Sequence, residues 1–284
     1  MIRPARGGDT AAPRRRRPFA RDPRAWVGIL GLLVLGAFCT AGAALAGDPT
    51  AQDAPARLLA PCWEHPFGTD ELRRDLLART ATGLRVSLAA SILAVPAGAF
   101  GGAVLGLTVG YAQGWTDRIV MRLLDAWFAF PGVLAAFAIV AVLGPGMVSI
   151  GVSLALFSMP VFARVARAQT LSERSRDYVL AARSVGAAPS RILVRHILPN
   201  SLAPLVTQFA LTFTASILIA AALSFLGLGE RPPTPSLGGL LNASRPHIRD
   251  AWWYVTFPGS VLALLLLSLN LLSDAVADHL ARLR

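Results

Sequence analysis

The sequence predicts an all-α membrane protein with six transmembrane helices, on the grounds of composition, apolar runs and charge placement. The 284 residues are 54% apolar and 15% charged, with a mean hydropathy of +0.55, whereas soluble domains average roughly 25% charged residues. Apolar runs near or above the roughly 18 residues that a spanning helix needs recur along the chain. These runs cover residues 26–46, 86–110, 119–143, 147–163, 202–228 and 253–272.

The placement of charge predicts the orientation. All 27 basic residues are arginine, and the formal net charge is +11. Eight arginines lie in residues 1–25 and seven in 164–200, whereas residues 47–83 carry four arginines against six acidic residues. Because cytoplasmic loops carry the excess of basic residues, we expect 1–25 and 164–200 inside and 47–83 outside. Six spans through a cytoplasmic (inner) membrane then place both termini in the cytoplasm and residues 229–252 outside.

The first apolar run allows two interpretations. It follows a basic stretch and ends in Ala44-Leu45-Ala46, as a secretory signal peptide does. Its 21 residues exceed the roughly 7–15 of a signal-peptide core, which favours a retained first helix. The predicted division is a disordered, arginine-rich cytoplasmic tail over 1–25, a first transmembrane helix over 26–46, an extracytoplasmic loop over 47–83, and a transmembrane domain over 84–284 that includes the cytoplasmic loop 164–200.

Glycine recurs every fourth residue in the second span, at Gly98, Gly102, Gly106 and Gly110. On a helix these positions stack along one face, and small residues there let two backbones approach closely. We expect a tight helix–helix seam, and a surface that slides during gating is the alternative.

Polar groups within the spans are few. Asp125 is expected to pair with Arg122 or Arg118. An ion-coupled secondary transporter usually needs acidic or histidine relays near the midplane, so their scarcity argues against that class. The fifth span is unusually polar, which indicates either packing hydrogen bonds or a hydrated substrate pathway. The residues concerned are Thr207, Gln208, Thr212, Thr214 and Ser216.

The sequence shows no catalytic, cofactor or metal motif. Without lysine, a Walker-type phosphate loop cannot form, and HExxH does not occur. Cys39 and Cys62 are expected to be unpaired thiols, and no metal-ligand spacing surrounds them. The chain is therefore predicted to be non-catalytic, to need no cofactor, and to draw energy from a partner.

The polar loop between the fourth and fifth spans is predicted to form two short helices. Gly186 suits the left-handed position after a helix, Pro189 suits the first turn of the next one, and Pro199 is expected to end it. Side-chain oxygens are expected to cap the first helix. The candidate caps are Ser172, Ser175 and Asp177.

The first of these short helices has the character of a docking element. Val179, Ala182 and Val185 fall on one face at helical spacing. The small pair Ala181-Ala182 would let the groove of another protein come close, as in helix-in-groove recognition. A helix-turn-helix DNA reader has a similar outline, but tethering between two spans argues against nucleic acid. A purely structural amphipathic loop is the other alternative.

This loop resembles the EAA loop of the permease subunits of bacterial ABC importers, in which the loop forms the cytoplasmic coupling helix that docks on the ATPase. Leu180 stands where the general motif has glutamate, so any ion pair of that glutamate with the ATPase is absent. The resemblance assigns ATPase coupling to Asp177, Tyr178, Leu180, Ala181, Ala182, Arg183, Gly186, Leu198 and Pro199.

Further stretches resemble the dipeptide, oligopeptide and nickel branch of these permeases, in particular its second, C-type subunit. The resemblance covers roughly residues 60–280. After the loop, its most specific match is SFLGLG at residues 224–229 followed by PPTPS at residues 232–236. Further matches are HPFGTDEL at residues 65–72, Gly110-Tyr111, Phe130-Pro131-Gly132 and Asn270-Leu271-Leu272.

The resemblance implies the ABC importer permease fold and a transmembrane subunit of a peptide-class importer. Its partners would be a second homologous permease, two cytoplasmic ABC ATPase subunits, an extracytoplasmic solute-binding protein and the lipid bilayer. ATP-driven closure of the ATPases would move the helix at 177–186 and rock the spans from inward- to outward-open. Dipeptides, oligopeptides, nickel chelates and glutathione-like solutes all fit as cargo. A secondary transporter and a membrane scaffold without transport are the alternatives.

Overall fold

A computed structural model describes residues 22–45, 47–52 and 54–281, and this part of the chain is helical without a β-strand. Two π-helical stretches, Leu193–Ile197 and Ser224–Leu228, flank the long helix at Leu198–Leu223, and a 3-10 turn at Arg245–His247 follows the short helix at Leu237–Ser244. The helices are α1 (Pro23–Leu45), α2 (Leu76–Ala112), α3 (Gly114–Phe128), α4 (Gly132–Leu143), α5 (Met147–Arg174), α6 (Asp177–Ser184), α7 (Pro189–Ile192), α8 (Leu198–Leu223), α9 (Leu237–Ser244) and α10 (Trp252–Leu280). Most of the predicted tail over 1–25 lies outside the described residues.

Within the described residues, five helical stretches are long and apolar enough to cross a membrane. They are Pro23–Gly42, Leu76–Ala112, Met147–Arg174, Pro189–Leu228 and Trp252–Leu280. The predicted third span, 119–143, is divided into α3 and the 12-residue α4. Pro131 explains the break, since a proline disfavours helical backbone at the preceding residue and lacks the N–H that would continue the helix.

The second span begins earlier than its apolar run predicts. α2 starts at Leu76, where Asp75 caps it by accepting a hydrogen bond from the Ala78 N–H at 2.9 Å. Residues 76–83 of the predicted extracytoplasmic loop are therefore helical. Hydropathy alone missed them because Arg79 and Thr80 are polar, although both are buried in the folded chain.

The four glycines at 98–110 face α5. A methyl group at Gly98 would lie 2.5 Å from the carbonyl oxygen of Ala155. A methyl group at Gly102 would overlap the carbonyl oxygen of Met159, and one at Gly106 would overlap the carbonyl oxygen of Ala163. The backbones of α2 and α5 thus touch along this seam, which only glycine permits.

The other long helices pack around this pair. Gly28 and Gly31 of α1 lie against Ser268 of α10, so these two helices also approach closely. A buried apolar cluster joins α1, α2, α8, α9 and α10. Its members are Leu35, Cys39, Leu84, Ile217, Leu237 and Leu265.

Residues 54–75 form a cap over the N-terminal end of α2. Asp70 is fully buried and accepts hydrogen bonds from the Arg74 Nε at 2.6 Å and from the Arg74 backbone N–H at 2.9 Å. Arg79 Nε lies 3.2 Å from the same carboxylate. Tyr254 of α10 donates a hydrogen bond to Glu71 at 2.5 Å. The cap is therefore fixed to α2 and α10 by buried polar contacts.

The glycine seam generates the first prediction. Replacing Gly102 with alanine should lower the free energy of unfolding by about 1–3 kcal/mol, because the added methyl group forces α2 away from α5. Thermal or SDS-titration unfolding of the detergent-solubilised protein measures this change.

The matched control is Gly101→Ala on the adjacent residue. No atom lies within 4 Å of a methyl group placed there, and alanine favours helix over glycine by roughly 1 kcal/mol. Equal destabilisation by the two substitutions would contradict the seam.

Candidate functional site

The short helix α6 begins without a side-chain cap. Its N-cap residue is Arg176, whose side chain makes no capping hydrogen bond. The prediction that Ser172, Ser175 or Asp177 caps it is therefore wrong. The turn from α5 is made by backbone instead, with the Arg176 N–H donating to the Glu173 carbonyl oxygen at 3.1 Å.

The end of α6 follows the predicted turn chemistry. Gly186 has φ +76°, the left-handed conformation that glycine adopts readily. The Ala187 N–H donates to the Ala182 carbonyl oxygen at 3.0 Å, which closes the helix end. Pro189 is the first residue of α7. Local residue chemistry therefore reverses the chain here.

Pro199 does not end the second helix, contrary to expectation. The chain continues from α7 through the π-helical stretch into α8. The Leu198 N–H donates to the Leu193 carbonyl oxygen five residues earlier, which is the hydrogen bond of a π-helix. Pro199, which has no N–H to donate, comes directly after this bond. The loop is thereby joined to α8 without a break.

One side of α6 is buried. Val179 is fully buried, together with Ile192 and Ile197 from the second half of the loop. They join Val95, Leu107, Phe162, Ala166 and Leu205 in one apolar cluster, and Ala182 packs against it. The loop is therefore seated on α2, α5 and α8.

The opposite side of α6 is open. Asp177 and Ala181 are exposed, Leu180 is 47% exposed, and Val185, expected to share the face of Val179, is 84% exposed. We call Leu180, Ala181, Ser184, Val185 and Gly186 the open face. It is apolar and small-residue-rich, which suits a protein groove better than water.

Tyr178 connects α6 to two other helices. Its hydroxyl donates to the buried Glu173 carboxylate of α5 at 2.5 Å and accepts from Asn200 Nδ2 of α8 at 3.1 Å. Burial, with the neighbouring carboxylate, raises the pKa of Tyr178 to about 12. The phenol donates to a charged acceptor, an arrangement that contributes about 1.5–3 kcal/mol where water is excluded and less at Tyr178, which is 38% exposed.

Arg183 connects α6 to the end of α2. Its guanidinium carbon lies 4.9 Å from the centre of the Tyr111 ring. Arg174 of α5 approaches the same ring at 5.6 Å and donates to the Tyr111 carbonyl oxygen at 2.7 Å. Such cation–π contacts contribute roughly 0.5–1 kcal/mol at exposed sites and more when water is excluded.

Two ion pairs join α3 to α5 near the same end. Asp117 and Arg167 are bound through both carboxylate oxygens, at 2.5 and 2.6 Å, and this hydrogen bonding lowers the pKa of Asp117. Asp125 pairs with Arg164 at 2.7 Å. The prediction that Arg122 or Arg118 is its partner is therefore wrong, because Arg164 of α5 lies over the Phe128 ring of α3, 4.1 Å from the ring centre, and reaches Asp125 from there.

The polar residues of the fifth span make hydrogen bonds within α8 and to α10. Gln208 Nε2 donates to Thr212 Oγ1 at 2.9 Å, and Thr214 Oγ1 lies 3.4 Å from Ser273 Oγ of α10. Thr207 donates to the Ala203 carbonyl oxygen at 3.0 Å. Gln208 and Thr212 also line a cavity of about 360 Å³ between α8 and α5. Their role in a pathway stays a prediction.

Sequence reasoning assigned no role to Glu173 or Tyr111. Tyr111 belongs to the Gly110-Tyr111 match, but it lies on another span and its sequence position does not indicate a contact with the loop. Glu173 lies before the reversal at residues 175–176 and carries no such signal either. Within the described residues, no group of three histidine, cysteine or acidic side chains could hold a metal ion. Cys39 and Cys62 are unpaired.

Comparison with known proteins places this arrangement. The family model described as "Binding-protein-dependent transport system inner membrane component" matches residues 102–284. The di/tripeptide transport system permease protein DppC of Pseudomonas aeruginosa (strain UCBPP-PA14) is 40% identical over 270 residues, 92% of this chain and 89% of the relative. The dipeptide transport system permease protein DppC of Alkalihalophilus pseudofirmus is 38% identical over 275 residues, 95% of this chain and 90% of the relative.

Two further comparisons extend this likeness. The glutathione transport system permease protein GsiD of Pectobacterium atrosepticum is 46% identical over 220 residues, 78% of this chain and 73% of the relative. A chain from inward-facing structures of the MetNI methionine ABC transporter matches with TM-score 0.59 at 20% identity, over 74% of this chain and 96% of that chain. The structural match supports the fold, and the predicted resemblance is confirmed.

The two ion pairs differ in burial, which generates the second prediction. Asp117→Asn should lower the free energy of unfolding by about 2 kcal/mol, because it leaves a partly buried arginine without its charged partner. Asp125→Asn is the control. Its pair is 59% and 45% exposed, so the loss should stay below about 1 kcal/mol. SDS titration of both variants measures the difference, and a larger loss from Asp125→Asn would contradict this ranking.

Proposed function

The chain belongs to the family of binding-protein-dependent transport system inner membrane components, and from this premise we propose that it forms half of the translocation pathway of an ATP-driven importer of short peptides. It is a multi-pass membrane permease subunit. The other half would come from a second, homologous permease. ATP hydrolysis would be performed by separate ATPase subunits in the cytoplasm.

The observation that carries this proposal is the open face of α6. α6 has eight residues, buries one side in its own protein and exposes Leu180 on the other, with Val185 exposed directly after its last residue, and this arrangement suits helix-in-groove recognition. In place of the glutamate of the general motif, Leu180 offers apolar area. Docking on an ATPase would therefore rest on shape and apolar burial at this position.

The proposed orientation rests on arginine. Seven arginines lie in residues 164–200 and eight in residues 1–25, which favours the cytoplasm for both segments. The cap and residues 229–252 would then face the opposite side. There the cap, held by buried ion pairs, would offer a fixed surface to a solute-binding protein.

The proposed cargo class follows from the relatives and from α8. The relatives are named as permeases for di- and tripeptides and for glutathione, which share amide bonds and carboxylates. Gln208, Thr207 and Thr212 offer uncharged donors and acceptors. Such groups can hydrogen-bond peptide amides while remaining indifferent to side-chain charge, so specificity would be set largely by the binding protein.

The proposed mechanism has no chemical step in this chain. Closure of the two ATPases on ATP would displace α6, and the helices joined to it would rock from inward- to outward-open. Substrate released by the binding protein would then enter between the two permeases. Reopening of the ATPases would return the pathway to the cytoplasm.

Subunit composition provides the third prediction. A pull-down of the tagged chain from its native membrane in mild detergent should recover two ATPase chains and one second permease. Mass spectrometry with counted stoichiometry checks this. Recovery of the chain alone, even after cross-linking, would count against the importer and favour a secondary transporter or a scaffold.

The open face provides the fourth prediction. Gly186→Asp should reduce uptake at least tenfold while the protein remains in the membrane, because it adds an acid to the open face at a left-handed backbone position. Uptake of radiolabelled dialanine and of glutathione into cells measures transport, and immunoblotting of membranes measures expression.

Gly186→Asn is the control, since asparagine has the same shape, lacks the charge and tolerates the left-handed conformation better than most residues. It should retain most of the transport. Normal uptake by the aspartate variant at normal expression would remove the docking role of this face.

A further inference from the structure

We propose that Tyr111 and Glu173 are positioning residues that fasten the two ends of α6 to α2 and α5, so that force applied to the open face enters these helices. This inference rests on the proposed function. It goes beyond that function by assigning the transmission of force to two side chains outside the loop motif.

The two polar contacts that hold α6 lie at its ends. Tyr178 is in its first turn and Arg183 in its last. They are five positions apart in the sequence, or about 7.5 Å along a helix. Val179 enters the apolar cluster between them. Ala182 packs against the same cluster. A helix held only at these two small side chains could pivot about them, whereas contacts at both ends resist rocking.

Arg183 contacts an aromatic ring at the end of α2. Arg183 is half-buried, and its Nε has no hydrogen-bond partner, so the Tyr111 ring at 4.9 Å helps to stabilise the guanidinium in this position. The ring itself is held, because Arg174 of α5 donates to the Tyr111 carbonyl oxygen and also lies over the ring. One aromatic ring therefore joins the ends of α2, α5 and α6.

Tyr178 contacts a buried carboxylate at the end of α5. Glu173 is 8% exposed and accepts the Tyr178 hydroxyl at 2.5 Å. Asn200 donates to that hydroxyl at 3.1 Å and also to the His196 carbonyl oxygen at 2.7 Å. The first turn of α6 is thus tied to α5 directly and to the start of α8 through one amide.

The open face takes no part in the contacts of Tyr178 with Glu173 and of Arg183 with Tyr111. A partner docked on the open face would therefore leave both contacts intact. α2 and α5 touch along the glycine seam, so a displacement received at Tyr111 and Glu173 moves the two helices together. Without the contacts at Tyr111 and Glu173, α6 would move relative to α2, α5 and α8 instead of moving with them.

The test uses the intact complex purified with its partner chains. Tyr111→Leu removes the ring and keeps an apolar side chain, while Tyr111→Phe keeps the ring. Hydrogen exchange of the amides at residues 178–186 reports the holding of α6. We expect exchange at least fivefold faster in the leucine variant, and wild-type rates in the phenylalanine variant. ATPase chains should still co-purify with both.

Transmission is read as the ratio of ATP hydrolysed to dialanine or glutathione carried into proteoliposomes. The ratio should rise at least threefold in Tyr111→Leu and stay near wild type in Tyr111→Phe. Tyr178→Phe, which removes the hydroxyl donated to Glu173, should give the same two changes independently if the leucine variant does not assemble.

The outcomes separate the two proposals. Unchanged exchange and an unchanged ratio in both Tyr111→Leu and Tyr178→Phe would overturn the fastening. Equal loss in Tyr111→Phe and Tyr111→Leu would also overturn it, since the ring would then be irrelevant. Absence of ATPase chains from the wild-type preparation would instead defeat the proposed function, while the exchange comparison would still decide whether Tyr111 holds α6.

Discussion

The backbone contact between α2 and α5 is the constraint on which the remaining packing depends. Lipid tails are as apolar as leucine, so helices in a bilayer gain little from burying apolar side chains and associate through close packing and hydrogen bonds. Gly98, Gly102 and Gly106 allow that packing by removing every side-chain atom between α2 and the carbonyl groups of α5. The same two helices extend beyond the seam to carry Tyr111 and Glu173, so the seam also sets the spacing of the loop's attachments.

The long helices could be predicted because apolar composition over 18 or more residues is sufficient to indicate a span. The bounds could not. α2 begins ten residues before its apolar run, since Arg79 is buried with its Nε 3.2 Å from the Asp70 carboxylate beneath the cap, and a hydropathy average registers only the polarity of such residues. The third run has enough apolar residues to span, yet Pro131 divides it into two helices, and Asp125 of the first of these helices meets Arg164 of α5.

The candidate site divides in the same way. Gly186 and Pro189 could be assigned from the sequence because their backbone preferences are local. The seat of α6 could not, since Tyr111 is 72 positions before Arg183 along the chain and meets it only after α2 and α5 have packed. The failed capping prediction belongs with these, because the Val179 N–H, a donor that a capping side chain would bind, donates to the Arg176 carbonyl oxygen instead at 3.0 Å. Family resemblance indicated the loop, and physical contacts indicate what holds it.

The π-helical stretch at Leu193–Ile197 has a consequence for angular register. Its hydrogen-bonded rings enclose one residue more than those of an α-helix, and each residue turns a helix by about 100°. The stretch therefore sets the rotation of α8 relative to the loop that precedes it. Removing one residue there would turn Gln208 and Thr212 to another side of α8 while the open face of α6 stayed where it is. A single residue of chain length therefore sets the angle between the open face of α6 and the polar side chains of α8. At this position the number of residues matters as much as their identity.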